Sequence, residues 1–259
     1  MRASIARIDP KTAKSDVWSV DLDRAVFSRV TAGPGENVLG LWSPDGKQIA
    51  FTSDRNGAFD LFLTSAGGGG IEQPVLQSHS TKYFDDWSSD GQFLVYELLT
   101  TQSDLWILRL SDRQTMPFVV TPFNETHAQF SPDGKWVAYT SDESGAAEVY
   151  VQAFPSSGEK SQVSTAGGDE AMWSRDGSKL FYITPDRKMV AVAISTTPRF
   201  RVLSANTLFS VRVWNYSPSG SRNGYVPAPD GKRFLVNVAL DSGAAPIQIV
   251  TDWIDELHR

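Results

Sequence analysis

Apolar and polar residues alternate with a period of two over many short stretches of this chain. "KQIAFTS" (47–53), "DLWILRL" (104–110) and "KWVAYTS" (135–141) are each rich in β-branched and aromatic side chains. That pattern predicts strands buried on at least one face. No segment holds helical spacing over ten or more residues, so the predicted elements are strands throughout.

The strands recur in phase. "LWSPDGKQIAFTS", "DWSSDGQFLVYEL", "QFSPDGKWVAYTS" and "MWSRDGSKLFYIT" are near copies, and "VPAPDGKRFLVNV" is a looser fifth. Their aromatic residues Trp42, Trp87, Phe130 and Trp173 are spaced by 45, 43 and 43 residues. An acidic residue opening an apolar triplet (Asp16, Asp60, Asp104, Glu148) recurs at steps of 44, 44 and 44. Two independent rulers therefore give one period, and a period of this length with about four strands marks a propeller blade.

Turn chemistry separates the strands. In Ser43-Pro44-Asp45-Gly46, Pro supplies φ near −65°, Asp tolerates the bridge region and Gly accepts positive φ. Asp54-Arg55-Asn56-Gly57 and Asp142-Glu143-Ser144-Gly145 predict the next hairpin of their units.

The chain is thus predicted to be all-β: a β-propeller of six blades of four antiparallel strands, the first and last incomplete. The blades fall at about 2–32, 37–76, 82–121, 125–165, 168–210 and 222–253, in a single domain over 1–259. Trp42, Trp87, Phe130 and Trp173 are expected to fill the gaps between successive sheets, where truncation costs about 3–5 kcal/mol. Two ragged terminal blades would leave strand edges uncovered, and the chain is expected to be a piece of a longer polypeptide.

Composition narrows the classes of function. With 24 Lys and Arg against 30 Asp and Glu, the net charge is −6. That argues against a nucleic-acid partner, which needs a basic face to replace phosphate counterions. There is no cysteine, so disulfides and thiolate metal sites are excluded. No stretch approaches the roughly 20 apolar residues of a membrane span, and no membrane insertion by this chain is expected.

"WSPDGKQIAFTSDRNGAFDLFL" resembles the repeat of TolB-type, WD-repeat-like propellers, without the Trp-Asp dipeptide that closes the third strand of true WD repeats. More narrowly, "TPFNETHAQFSPDGKWVAYTSDESGAAEVYVQAFP", "GGDEAMWSRDGSKLFYIT" and the ending "PIQIVTDWIDELHR" resemble the C-terminal propellers of bacterial membrane-anchored serine/threonine kinases. That resemblance implies a sensor or protein-interaction module with catalysis elsewhere. It also implies an extracytoplasmic or periplasmic location; without it, a cytoplasmic one is the expectation.

The search for chemistry gives a short harvest. No G-x-S-x-G elbow occurs, so no serine hydrolase is encoded here. The residues three to five before each ruler aromatic would encircle one mouth of a propeller channel. Asn37, Lys82, Tyr83, Glu125, His127, Asp169 and Glu170 are therefore the candidate ligand-binding residues. They suit a protein or peptide end, an unidentified small ligand or a cation; equally, they are polar because water fills such a channel. Glu125, Asp169 and Glu170 could together offer calcium hard oxygen ligands; no other cofactor and no catalytic residue is assigned. The recurring Asp16, Asp60, Asp104 and Glu148 are read as strand-start hydrogen-bonding groups, because an active site is needed once and these occur in every unit.

Only "VRVWNYSPSGSRNGY" (211–225) escapes the repeat. Its Trp214, Tyr216, Arg222 and Tyr225 are types enriched at binding hot spots, and are read either as an interaction loop or as an aromatic plug. The expected function is a non-enzymatic interaction or ligand-sensing module. The alternative is a propeller associated with a prolyl-oligopeptidase-type hydrolase, or a channel-mouth metal-dependent enzyme.

Overall fold

In the computed structural model the described residues are 2–156, 158–213 and 224–238, with the backbone of 247–250. Every regular element among them is a strand, and no helix is long and apolar enough to cross a membrane. The chain divides into two compact units, residues 1–122 and 123–259.

The first unit opens with a three-stranded sheet of β1 (Arg2–Ile8), β2 (Ser15–Asp21) and β3 (Val26–Arg29). A four-stranded sheet follows, made of β4 (Asn37–Trp42), β5 (Gln48–Asn56), β6 (Ala58–Ser65) and β7 (Gln73–Leu76). The next holds β8 (Lys82–Trp87), β9 (Phe93–Leu99), β10 (Ser103–Arg109) and β11 (Gln114–Val119).

The second unit contributes β12 (Glu125–Phe130), β13 (Trp136–Ser141), β14 (Glu148–Ala153) and β15 (Lys160–Gln162) as one sheet. Another is β16 (Asp169–Trp173), β17 (Lys179–Ile183), β18 (Lys188–Ser195) and β19 (Arg201–Ser210). The last is β20 (Tyr225–Pro227), β21 (Phe234–Asn237) and β22 (Ile247–Val250). Each sheet is an antiparallel meander in chain order. Four of them are complete blades. The all-β propeller arrangement is as expected, including the incomplete first and last sheets: among the described residues, the sheets at either end have three strands.

The turn between the first two strands of a blade is built the same way four times. Gly46 N–H donates to the Ser43 carbonyl (2.8 Å), and Gly46 has φ +69°. Ser43 Oγ donates to Asp45 Oδ1 (2.7 Å) and accepts from Gln48 N–H (2.9 Å). Ser88, Ser131 and Ser174 repeat both bonds with Asp90, Asp133 and Asp176. The serine is buried in all four, so it satisfies backbone groups that water does not reach.

Packing follows the aromatic ruler. Trp87, Phe130 and Trp173 are buried, and Trp42 is half-buried against Val17, Ile49 and Phe51. In the first unit Phe84, Trp87, Leu94 and Tyr96 pack with Ala50, Leu61 and Val75 of the preceding sheet. In the second, Trp173 joins Trp136, Ala138, Val149 and Val151 of the preceding sheet, and its indole N–H donates to the Gln129 carbonyl (3.0 Å). A further core gathers Phe181, Met189, Tyr225, Phe234 and Val236.

Candidate functional site

The first strand of each complete blade is not regular. Its pairing with the second strand slips at Val38/Leu41, Phe84/Asp86, Thr126/Gln129 and Asp169/Met172. In three of the four the bulged residue takes a left-handed conformation: Leu39 at φ 57°, His127 at 54° and Glu170 at 55°. These are non-glycine residues held where only glycine is unstrained. Each stands three residues before its ruler aromatic and is followed by a small residue, Gly40, Ala128 or Ala171. A Cβ on Gly40 would meet Val17 Cγ1 at 2.4 Å. The bulge re-aims the side chains that precede it.

In the first unit the expected binding residues are structural. Asn37 is fully buried; its Nδ2 donates to Asp16 Oδ1 (3.0 Å), and its Oδ1 accepts from Arg55 (2.8 Å). Lys82 is 2% exposed, and its ammonium is held by Asp60 (2.7 Å) and the Ser80 carbonyl (2.6 Å). Tyr83 is buried, with its ring 5.4 Å from that of Phe59. The polar atoms of Asn37 and Lys82 are engaged by the protein itself, and Tyr83 lies in the interior.

The same geometry explains the acidic ruler. Asp16 accepts from Thr31 Oγ1 (2.9 Å) as well as Asn37, and pairs with Arg29. Asp60 accepts from Ser78 N–H (3.0 Å) and holds Lys82. Glu148 accepts from Gly167 N–H (2.8 Å) and from Ser164 Oγ, which in turn accepts Val149 N–H (2.8 Å). Burial pushes the Asp104 carboxyl up, against a bond from the Thr121 backbone. Each carboxylate therefore fastens the end of its own blade, and Asp16 and Asp60 reach the first strand of the next one.

In the second unit three of the expected residues come together. His127 Nδ1 lies 3.0 Å from Asp169 Oδ1. Thr140 Oγ1 (2.8 Å) and the Glu170 amide (2.7 Å) donate to the same oxygen. Glu170 Oε2 accepts the Gly224 amide at 2.5 Å, and Tyr225 Oη donates to the Glu170 carbonyl (2.8 Å). Glu125, in contrast, is fully buried and accepts from Ser141 Oγ (3.3 Å).

The two neighbouring carboxyls titrate apart. Burial works to raise Asp169, but the His127 charge, the His127 and Thr140 hydrogen bonds and the Glu170 amide outweigh it. The carboxyl sits below its ordinary range. Burial raises Glu170 despite His127 and the Gly224 amide, and the Asp169 charge pushes it the same way. Neighbouring groups driven apart in this manner are a mark of designed electrostatics.

Among the described residues no group of three or more His, Asp or Glu is placed to hold a metal ion. Of the expected interaction loop, Trp214, Tyr216 and Arg222 lie outside the described residues. Tyr225 is 1% exposed and 6.1 Å from the Phe234 ring, the position that the aromatic-plug reading gives it.

The comparisons with known proteins agree on the architecture. TolB from Acinetobacter baumannii superposes with a TM-score of 0.76 over 96% of this chain and 61% of its own, at 17% identity. An oligogalacturonate lyase solved in complex with manganese superposes at 0.63, with 14% identity, over 96% of this chain and 85% of its own. In sequence, the Tol-Pal system protein TolB of Helicobacter pylori is 26% identical over 129 residues, 48% of this chain and 31% of its own length. An uncharacterized protein of Agrobacterium fabrum is 32% identical over 81 residues, 31% of this chain and 27% of its own. The match thus spans about a third of the length of these curated relatives. The profile described as TolB beta propeller domain matches residues 86–251, well over half of the chain. The chain belongs to the TolB β-propeller domain family.

Proposed function

We propose that this propeller is a non-enzymatic module that binds a protein or peptide partner and reports its presence to the rest of a longer bacterial polypeptide. One observation carries the reading: the side chains that looked most like chemistry are engaged in fastening the fold. Asp16, Asp60 and Glu148 recur as structural ligatures, and Asn37 and Lys82 are buried with their polar atoms bound. The relatives point the same way. The TolB of Helicobacter pylori is named as a protein of the Tol-Pal system, and one structural neighbour was solved within a nidogen/laminin complex, at a TM-score of 0.61. The resemblance to kinase-borne propellers refines the proposal toward an extracytoplasmic sensor.

The test is thermal and chemical unfolding against a panel of peptides, sugars and divalent ions. A ligand at 100 times its dissociation constant adds about 2.7 kcal/mol of stability. Stabilisation by a peptide, without turnover of it, supports the module. Cleavage of a peptide or polyuronate by the purified chain would overturn it in favour of an enzyme, since neighbours of the same fold include a prolyl endopeptidase and a lyase.

A further inference from the structure

Each complete blade ends in a last strand whose far edge pairs with no other strand among the described residues. Such an edge offers a row of backbone donors and acceptors to any extended chain, and proteins blunt it with Pro, Lys or sheer shortness. Three of the four edges here are blunted. β7 is four residues long and holds Pro74, β11 holds Pro117, and β15 is three residues long and holds Lys160.

The fourth is open. β19 runs for ten residues with neither Pro nor Lys, and Arg201–Thr207 are exposed without a break. Val202 and Leu203 keep 41% and 63% of their surface in solvent. Its pairing with β18 passes over Leu203 and Leu208 as bulges, which leaves a regular run at Ser204–Thr207 of small, uncharged side chains.

The charge around that edge is one-sided. Between Asp186 and Asp230 the sequence has six Lys and Arg and no Asp or Glu, in a chain whose net charge is −6. Lys188 is already paired with Asp186 (2.8 Å). Arg199 and Arg201 stand at the start of β19 and Arg212 just past its end. The Val211 amide bonds the Arg187 carbonyl (2.8 Å), which brings a fourth arginine to that end. All four are exposed, and none makes an ion pair with a described residue.

We propose that β19 is the docking edge for an extended acidic peptide, which adds to the blade as a fifth strand along Ser204–Thr207. Its flanking carboxylates meet Arg199 and Arg201 at one end and Arg187 and Arg212 at the other. This rests on the reading of the propeller as a peptide-binding module, and names the surface and the chemistry of the partner. Main-chain bonds supply affinity with little regard to sequence, while the arginines select acid-flanked segments and refuse basic ones. A second copy of this chain fits the edge poorly, because two such strands laid antiparallel set arginines against arginines.

The probe is a fluorescein-labelled peptide with a Thr-Val-Thr-Val centre and Glu pairs on both sides. Anisotropy should show saturable binding that weakens as salt rises, and hydrogen exchange should slow in β19 while β5 and β6 of the other unit stay level. The same peptide N-methylated throughout its centre cannot join a sheet, and should bind at least about tenfold more weakly. Arg201→Glu with Arg212→Glu, both at exposed positions, should lose about tenfold or more for the acidic peptide and take up its Lys-flanked counterpart instead. Equal binding of the N-methylated peptide, or of a single-stranded DNA oligonucleotide, marks a mere charge contact and overturns the proposal. Self-association of the parent chain in sedimentation, relieved by the same two substitutions, assigns the edge to a second copy and overturns it as well. If a different peptide stabilises the chain while exchange in β19 is unchanged, the module reading stands and the docking edge falls.

Discussion

Arg55 and Glu72 meet at 2.5 Å, with the guanidinium lying 4.5 Å above the Phe62 ring and 5.5 Å from that of Phe51. They stand thirteen and thirty residues after Trp42. At the same offsets from Phe130 stand Glu143 and Lys160, also 2.5 Å apart, with Lys160 over Tyr150 (4.5 Å) and Tyr139 (5.8 Å). The blade position specifies an ion pair over two aromatic rings, and either polarity satisfies it.

Exchanging the charges should therefore be tolerated. Glu72→Lys alone leaves two cations together at a site where both partners are mostly shielded, and should cost about 2 kcal/mol or more. Adding Arg55→Glu should recover most of that, less the loss of the Arg55 bond to Asn37. Urea unfolding of the two singles and the double gives the coupling directly. Additive losses would contradict the equivalence.

Lys82 and Asp60 form the most deeply enclosed ion pair described, each side chain 2% exposed. Asp60→Asn strands the ammonium and should destabilise by about 3–5 kcal/mol. Replacing both, as Asp60→Leu with Lys82→Met, should cost less than the single change, because the stranded charge is gone. Denaturant midpoints of the three proteins decide the order.

The turn serine is open to a gain as well as a loss. Ser131→Ala removes the acceptor for Trp136 N–H and the donor to Asp133, and should cost about 1–2 kcal/mol. The looser fifth copy has Ala228 in this place, with Gly231 N–H still donating to its carbonyl (2.8 Å). Ala228→Ser should raise the melting temperature, provided the hydroxyl reaches Asp230 as its counterparts do.

Acid should act through the same turns. The Ser174 hydroxyl, with the Ser178 amide and hydroxyl, pulls the Asp176 carboxyl down to about 2. Asp45 is lowered by Ser43 and the Lys47 amide in the same way. A depressed folded value means stability that is complete above the ordinary aspartate range and fades as the pH falls toward 2. Melting temperatures between pH 5 and 2 should decline less steeply in Asp176→Asn than in the parent chain.

Much of the fold was legible because the two rulers report different contacts. Trp87 and Trp173 mark packing between sheets, while Asp60 and Glu148 mark the fastening of a blade's end, and both rulers recur once per blade. The turns were legible from Pro, Asp and Gly, but the contribution of Ser43 and its equivalents was not, since a buried hydroxyl and an exposed one read alike. The bulge was hidden for a sharper reason: Leu39 and Glu170 carry no preference for the left-handed region and His127 only a weak one, and the small residue after each was the other hint. Site residues were the least legible. Periodicity places Lys82 and Glu125 at equivalent positions but cannot say whether a polar group faces solvent or the protein; Lys82 meets Asp60 of the preceding sheet and Glu125 meets Ser141 of its own.

The ligatures from Asp16 to Asn37 and from Asp60 to Lys82 run from one blade to its successor. They make the first unit directional, as a stitched hem is. Trimming the chain between residues 60 and 82 would leave an orphaned ammonium at the new terminus, so a shortened version is better cut before Asp16 than between two stitched blades. Insertions belong on the outer hairpin tips at Gly57 and Gly145, where an added side chain meets nothing within 4 Å. A label or tether placed there would leave the seam intact.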